Sequence, residues 1–174
     1  MEGRRVRVRA AERADLPTYL RWVNDPEVTE HLDLEPPMGM EQEEQWFLSI
    51  RERGEEVMSI ETLEGKLIGN MSILRVSWRD RKALIGIMIG EREFRGKGYG
   101  SEALGLLLGH LFDELGMNRV HLEVDAAHEG AVRCYLGLGF RIEGTLRQNR
   151  FKRGEYRDQL VMSLLREEWY RGSE

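Results

Sequence analysis

The stretch EREFRGKGYGSEAL, residues 91–104, places three glycines at alternate positions directly before an apolar helix. The glycines are Gly96, Gly98 and Gly100, and an arginine and a lysine stand beside them. Successive backbone N–H groups in a glycine-rich turn at a helix N-terminus bind anions, and glycine lets a ligand approach the backbone closely. The stretch therefore predicts a cradle for the phosphates of a cofactor, built without a metal ion.

Two other phosphate-binding motifs fit the stretch less well. A P-loop has four residues between its glycines and a Ser or Thr after its lysine, and neither condition is met here. Gly98, Gly100 and Ala103 satisfy the dinucleotide pattern G-x-G-x-x-A, and Glu123 falls about where a ribose-binding acid would stand. However, the five residues EREFR stand between Gly90 and the glycine-rich turn, and only one parallel crossover is evident. An NADP-dependent oxidoreductase is therefore a weaker alternative.

Length and composition indicate one globular domain covering residues 1–174. The chain is 41% hydrophobic and 33% charged, with a net charge of −5, which argues against a general nucleic-acid binder. No apolar run approaches the roughly 18 residues that span a bilayer, and the N-terminus lacks a signal core. We expect a cytoplasmic protein with no membrane partner. The single Cys134 excludes an internal disulfide and a thiolate metal site, so no metal is expected.

Hydrophobic periodicity predicts seven strands and about four helices. The strand–helix–strand unit from Ala83 to Asp125 requires a parallel strand pair with a right-handed crossover, whereas the other pairs can be antiparallel. The predicted fold is therefore a single mixed α/β (α+β) domain with a central, mostly antiparallel twisted sheet and one parallel strand pair. The predicted strands cover residues 5–10, 57–62, 67–78, 83–89, 119–125, 140–151 and 156–165; the helices start after Asp15, carry Trp46, and cover 104–115 and 129–138.

Together, three segments resemble the GNAT superfamily of N-acetyltransferases. Arg95-Gly96-Lys97-Gly98-Tyr99-Gly100 matches its signature [Q/R]-x-x-G-x-[G/A], and the preceding strand IGIMIG is similar to the one that pairs with the pantetheine arm of acetyl-CoA. The later segment LEVDAAHEGAVRCYLGLGF is similar to the second cofactor segment. The hairpin RFKRGEYRDQLVMSLL is similar to that of ribosomal-protein N-terminal and spermidine acetyltransferases. The cofactor-binding residues implied by this resemblance are Ile87, Met88, Ile89, Arg95, Gly96, Lys97, Gly98, Tyr99, Gly100, Ser101, His128 and Ala131.

The resemblance implies direct acetyl transfer to a primary amine in a ternary complex. Tyr135 matches the tyrosine that protonates the departing thiolate, and Glu123 matches the base of some family members, with Asp125 and His128 as alternatives. A backbone N–H of Met88 or Ile89 would polarise the thioester carbonyl. The family usually carries Asn where this chain has His128, and histidine can also donate a hydrogen bond there.

The acceptor and the quaternary structure stay open at this point. In the family the acceptor is held by the loop between the first two helices, where Glu30, Asp33 and Glu35 suit a cationic amine. A protein N-terminus, a polyamine and another small amine all fit. A non-catalytic acyl-CoA-binding regulatory domain is the alternative outside enzymes, and exposed apolar surface on the helices or the C-terminal hairpin would support a homodimer.

Overall fold

The computed structural model describes residues 1–171 and contains a seven-stranded sheet. Its strand order is β1-β2-β3-β4-β5-β7-β6, and every neighbouring pair is antiparallel except β4 and β5. This confirms the predicted fold class and the single parallel pair. The strands are β1 Val6–Ala10, β2 Glu56–Thr62, β3 Leu67–Ser77, β4 Lys82–Ile89, β5 Arg119–Asp125, β6 Arg141–Lys152 and β7 Glu155–Leu165.

Six α-helices accompany the sheet, two more than the sequence predicts. The added helices are short: α2 begins at Pro26, where the sequence predicts the end of the first helix, and α6 follows β7 directly. Pro26 suits a first helical position because its missing N–H is unpaired there in any helix. The helices are α1 Leu16–Val23, α2 Pro26–Thr29, α3 Met40–Glu52, α4 Tyr99–Gly109, α5 Glu129–Gly137 and α6 Arg166–Arg171.

The main core lies between the sheet and α4. Leu104, Leu107 and Leu108 recur at helical spacing, and all three are fully buried against inward-facing strand residues such as Val120 and Ile85. The α-helical hydrogen bonding ends at Gly109, and the chain continues as one wider π turn over His110–Glu114, where the sequence predicts an uninterrupted helix. This helix is the crossover that holds β4 and β5 parallel.

A second cluster lies on the opposite face of the sheet, under α1, α2 and α3. Leu16, Tyr19 and Trp22 are buried there together, and Met88 of β4 packs against them. Gly90 follows β4 immediately, and a Cβ on it would lie 2.0 Å from Cδ2 of Trp22. Only glycine lets α1 come this close to the bend that leads into the glycine-rich turn.

No helix among residues 1–171 is long and apolar enough to cross a membrane. The cytoplasmic location stays a prediction.

Candidate functional site

A cleft opens where the parallel strands separate. β4 and β5 are paired only over Lys82–Leu84 and Arg119–His121, in three residue pairs. Beyond that point, β4 continues to Ile89 beside β3, and among residues 1–171 no strand pairs with its other edge. Ile87 and Ile89 pack onto the main core, and Met88 faces the α1 cluster, so these three predicted cofactor residues line one wall of the cleft.

The glycine-rich turn lies at the open end of this cleft. Gly96 and Gly98 have φ of +68° and +85°, and Gly98 is the N-cap of α4. The backbone N–H groups of residues 96–101 make no hydrogen bond to a protein acceptor in the part of the chain that the structure describes. Six consecutive free donors at a helix N-terminus form an anion-binding nest.

The cations around the nest divide into structural and free groups. Arg95 donates from Nε to the Ile89 carbonyl at 3.0 Å and from Nη2 to the Gly90 carbonyl at 2.7 Å, so its guanidinium is tied to the end of β4. Lys97 is exposed. Arg5, which the sequence reasoning missed, donates to the Lys97 carbonyl at 2.9 Å and lies over the Tyr99 ring at 4.9 Å. Arg5 is also held by Glu102, with 2.8 Å between Nε and Oε2. Within residues 1–171, Lys97 is therefore a cation beside the nest that has no ion pair, and Arg5 adds a positive charge that is shared with Glu102.

The second wall of the cleft is α5, which starts after the end of β5. His128 caps its N-terminus, and Ala131 packs on the main core. Ser101 of α4 reaches across, with its Oγ 3.1 Å from Sγ of Cys134. The helix and the nest therefore meet at the cleft, as the predicted cofactor residues require.

Tyr135 is almost fully buried, with 8% of its surface exposed, and its ring packs against Phe140. Burial raises the pKa of its phenol above the ordinary value. Within residues 1–171 its hydroxyl makes no hydrogen bond. A protonated hydroxyl without a partner can donate to a leaving group that enters the cleft.

Polar residues of β5 form the floor of the cleft on the α1 side. Glu123 is exposed, and Asp125 follows it on the same face of the strand. The Asp125 carboxylate is buried; burial acts to raise its pKa, but hydrogen bonds from His31, the Ala127 N–H and Arg157 lower it below the ordinary value. Glu123 is thus the accessible carboxylate, and Asp125 the one already engaged by protein donors.

The loop between α2 and α3 is fastened to the β6–β7 hairpin by charge. Arg157 donates from Nη2 to Oε1 of Glu30 at 2.7 Å, and Arg153 pairs with the other oxygen of the same carboxylate. Arg150 lies 3.2 Å from Asp33. The hydrogen bond from Arg157, together with the charge of Arg153, lowers the pKa of Glu30. Of the three acidic residues predicted to meet the acceptor, only the exposed Glu35 lacks an ion pair within residues 1–171.

A histidine that the sequence reasoning left without a chemical role stands between the loop and the cleft. Nδ1 of His31 is 2.9 Å from Oδ2 of Asp125, and its ring stacks on His128 with 4.3 Å between centroids. Burial and the nearby His31 lower the pKa of His128. The sequence gives no local signal for this group, because His31 and Asp125 are 94 positions apart.

Within residues 1–171 no group of three or more His, Cys, Asp or Glu side chains is arranged to hold a metal ion.

Comparisons with known proteins agree with this geometry. Residues 5–141 match the family model described as "Acetyltransferase (GNAT) domain". The chain is 27% identical to spermidine N(1)-acetyltransferase of Escherichia coli (strain K12) over 165 residues, 94% of this chain and 88% of that one. It is 26% identical to the uncharacterized N-acetyltransferase p20 of Bacillus licheniformis, over 95% of each chain. The crystal structure of spermidine N-acetyltransferase from Vibrio cholerae with CoA and spermine superposes with a TM-score of 0.87 at 26% identity, covering 95% of this chain and 98% of that one.

Proposed function

The chain belongs to the acetyltransferase (GNAT) family, and from this membership we propose how its cleft transfers an acetyl group from acetyl-CoA to a primary amine. It is an N-acetyltransferase with acetyl-CoA as its co-substrate. The observation that carries the proposal is the separation of β4 from β5 beside six free N–H donors. Such a cleft has an unpaired strand edge for an extended amide chain and a nest for its phosphates.

The proposed cofactor site follows from these two features. The nest of residues 96–101 takes the pyrophosphate, with Lys97 and Arg5 beside it. Arg95 supports the nest from behind by holding the end of β4. The free edge of β4 from residues 87–89 pairs with the pantetheine arm, and His128, Ala131 and Ser101 close the opposite side.

The proposed chemistry uses Tyr135 and Glu123. Tyr135 donates its phenolic proton to the departing thiolate, and its buried position keeps the phenol protonated at neutral pH. Glu123, exposed on the polar face of β5, takes a proton from the amine directly or through water. A backbone N–H at Met88 or Ile89 stabilises the oxyanion of the tetrahedral intermediate. All three groups act in one ternary complex.

The proposed acceptor is a primary amine that enters under the loop between α2 and α3. Relatives that act on spermidine make polyamines the first class to test. Pairing with arginines neutralises Glu30 and Asp33, which leaves less negative charge to attract a polycation. Protein N-termini and other small amines are therefore the second and third classes to test. Glu35 and Glu123 are then the carboxylates left to attract an ammonium group.

Thermal unfolding with acetyl-CoA, and with NADP as control, tests the cofactor. A ligand at 100 times its Kd adds about 2.7 kcal/mol, which raises the Tm of a domain of this size by roughly 5–11 °C. We expect this shift with acetyl-CoA alone. A shift with NADP alone contradicts the proposal and favours the oxidoreductase.

A thiol-release assay over the three amine classes tests catalysis. Tyr135→Phe should lower turnover by roughly 10²–10⁴ while keeping the acetyl-CoA melting shift. Wild-type protein that shows the shift but releases no thiol with any amine would instead be the non-catalytic acyl-CoA-binding domain.

We also propose a homodimer formed through the C-terminal hairpin. β6 is an edge strand, and Ile142, Phe151 and Tyr156 of the hairpin are 48%, 65% and 66% exposed. An exposed apolar edge strand invites pairing with another chain. Light scattering should give twice the monomer mass, and a Phe151→Ser variant should shift the mass towards the monomer.

A further inference from the structure

His31 is held in one orientation by two neighbours from different parts of the fold. Its Nδ1 lies 2.9 Å from Oδ2 of Asp125 at the end of β5. Its ring stacks on His128, at the start of α5, with 20° between the ring planes. The side chain remains 27% exposed, so it is held in place while still accessible to solvent.

The Asp125 contact decides which ring nitrogen carries the proton. An ionised carboxylate can only accept hydrogen bonds, so Nδ1 of a neutral His31 must donate its N–H to Asp125. Nε2 then carries a lone pair, and within residues 1–171 it has no hydrogen-bond partner. A carboxylate that fixes a histidine in this tautomer also stabilises the imidazolium formed when Nε2 takes up a proton.

The position of His31 is next to the groups already proposed for the reaction. Asp125 follows Glu123 by two residues on one strand face, a separation of about 6.6 Å. His128 precedes Tyr135 by seven residues on α5, which corresponds to two turns on one helix face and about 10 Å. The imidazole therefore contacts the floor of the cleft at Asp125 and its α5 wall at His128.

The charges around His31 are balanced. Asp125 faces it from β5, and Arg157 of β7 donates from Nη1 to the same Asp125 oxygen at 3.2 Å. Glu30, next in sequence, is paired with Arg157 and Arg153. His128 below the ring is half-buried and its pKa is lowered by burial first and by His31 second, so it stays neutral. Lys152 of β6 adds a positive charge at the same loop, where it donates to the Leu32 and Leu34 carbonyls. A proton added to His31 is therefore a positive charge that these pairs do not compensate.

We propose that His31 is a second catalytic base of this acetyltransferase and that Asp125 is its positioning residue. This inference rests on the proposed function. In the overall reaction an ammonium acceptor loses two protons, its nitrogen forms the bond to the acetyl carbon, and the carbon–sulfur bond breaks. One proton ends on the CoA sulfur and one in solvent. Glu123 takes one of the two protons and returns it to the Tyr135 phenolate, which has given its own proton to the CoA sulfur. Nε2 of His31 takes the other proton and releases it to water.

An imidazole suits this step better than a carboxylate does. The ordinary pKa of histidine is about 6.5 and that of glutamate about 4.3, and a general base works best when its pKa is close to the working pH. The proposal therefore assigns the second proton to the imidazole of His31, while Glu123, besides taking the first proton, supplies the negative charge that attracts the ammonium group.

The pH dependence of kcat/KM, measured by thiol release with the best amine of the panel, tests His31. We expect wild-type kcat/KM to fall on the acid side of its pH profile, because only the neutral imidazole can take up a proton. His31→Asn keeps a donor for Asp125 but cannot titrate, so it should remove this acid limb and lower kcat/KM at pH 7.5 by roughly 10²-fold. Free imidazole should restore part of the activity of His31→Ala, which no loss of a structural tether would permit.

His110 provides the matched control. It forms the same kind of pair, with Nδ1 2.7 Å from Oε2 of Glu114, but at the far end of α4. His110→Asn should leave both the rate and the pH profile unchanged. The proposal is overturned if His31→Asn keeps the acid limb, or if activity falls equally at all pH values and imidazole restores none. Wild-type protein without thiol release on any amine would instead remove the proposed function itself, whatever the His31 variants do.

Discussion

Replacing Gly90 with alanine tests how α1 is positioned against the cleft. An alanine Cβ would lie 2.0, 2.3 and 2.4 Å from three atoms of the Trp22 indole, Cδ2, Cε2 and Cγ. These atoms belong to the centre of a rigid ring that is only 1% exposed, so no flexible end can move aside. The indole must shift as a whole, which would also disturb its hydrogen bond from Nε1 to Glu91 at 3.0 Å.

Overpacking of this kind costs about 1–3 kcal/mol, and occasionally more. For a chain of this length each kcal/mol lowers Tm by about 2–4 °C, so Gly90→Ala should lower Tm by roughly 2–12 °C. Circular dichroism gives the melting curve, and tryptophan fluorescence reports the displaced indole. Activity should fall with the shift, because the bend after β4 leads directly into the nest.

Trp22→Leu supplies the decisive second background. The smaller side chain leaves room for the added methyl group, so Gly90→Ala should cost less there than in the wild-type chain, with a coupling energy of about 0.5–3 kcal/mol. An equal cost in both backgrounds would show that the contact with Trp22 is not the reason for glycine at this position. An unchanged wild-type Tm would refute the packing argument altogether.

Two further predictions concern charged residues. Arg95→Gln should lower the free energy of unfolding of the free protein by about 1–3 kcal/mol, because it leaves the Ile89 and Gly90 carbonyls without their charged donor. Lys97→Gln should keep the Tm and instead weaken acetyl-CoA binding in a salt-dependent way. The opposite pattern would reverse the roles assigned to the two residues. Asp15 accepts hydrogen bonds from Arg9, Ser59 and the Glu12 N–H; although burial acts to raise its pKa, these donors lower it. A group with a lowered folded pKa stabilises the protein above its unfolded pKa of about 3.9 and loses that contribution as the pH falls through the folded pKa. The Tm of Asp15→Asn should therefore fall less than that of the wild type as the pH is lowered from about 5 to 2. An equal fall of Tm in the two proteins would contradict this.

The sequence predicts those parts of the site that depend on local spacing. The nest can be predicted because the glycines at 96, 98 and 100 and the apolar residues of the helix after them lie in one short segment. The burial of Leu104 and Leu107 follows from the same helical period. The separation of β4 from β5 cannot be predicted from the sequence, because the side chains of both strands alternate between the two faces in the usual way. Only the register between the two strands shows where their pairing stops.

Charge pairing between distant segments also escaped prediction. Glu30 and Arg157 are 127 positions apart, so an acidic loop in the sequence becomes a neutralised loop in the fold. Arg95 presents the converse case. It belongs to the family signature, yet its guanidinium is directed at the backbone of β4 and away from the open nest. Sequence motifs identify the residues of a site more reliably than the partner of each side chain.

The incomplete pairing of β4 and β5 has a mechanical consequence. Strands β1–β4 form one leaf of the sheet and β5, β7 and β6 form another, and the two leaves are joined edge to edge by three residue pairs at a single end. Residues of both leaves, such as Ile85 and Val120, are held in one core under α4, so the gap between the leaves is a fixed opening on the side of the nest. A cofactor arm lying along β4 would fill this gap. An amine arriving afterwards would then meet an entrance bounded by the cofactor on one side and by the loop that Arg157 holds on the other.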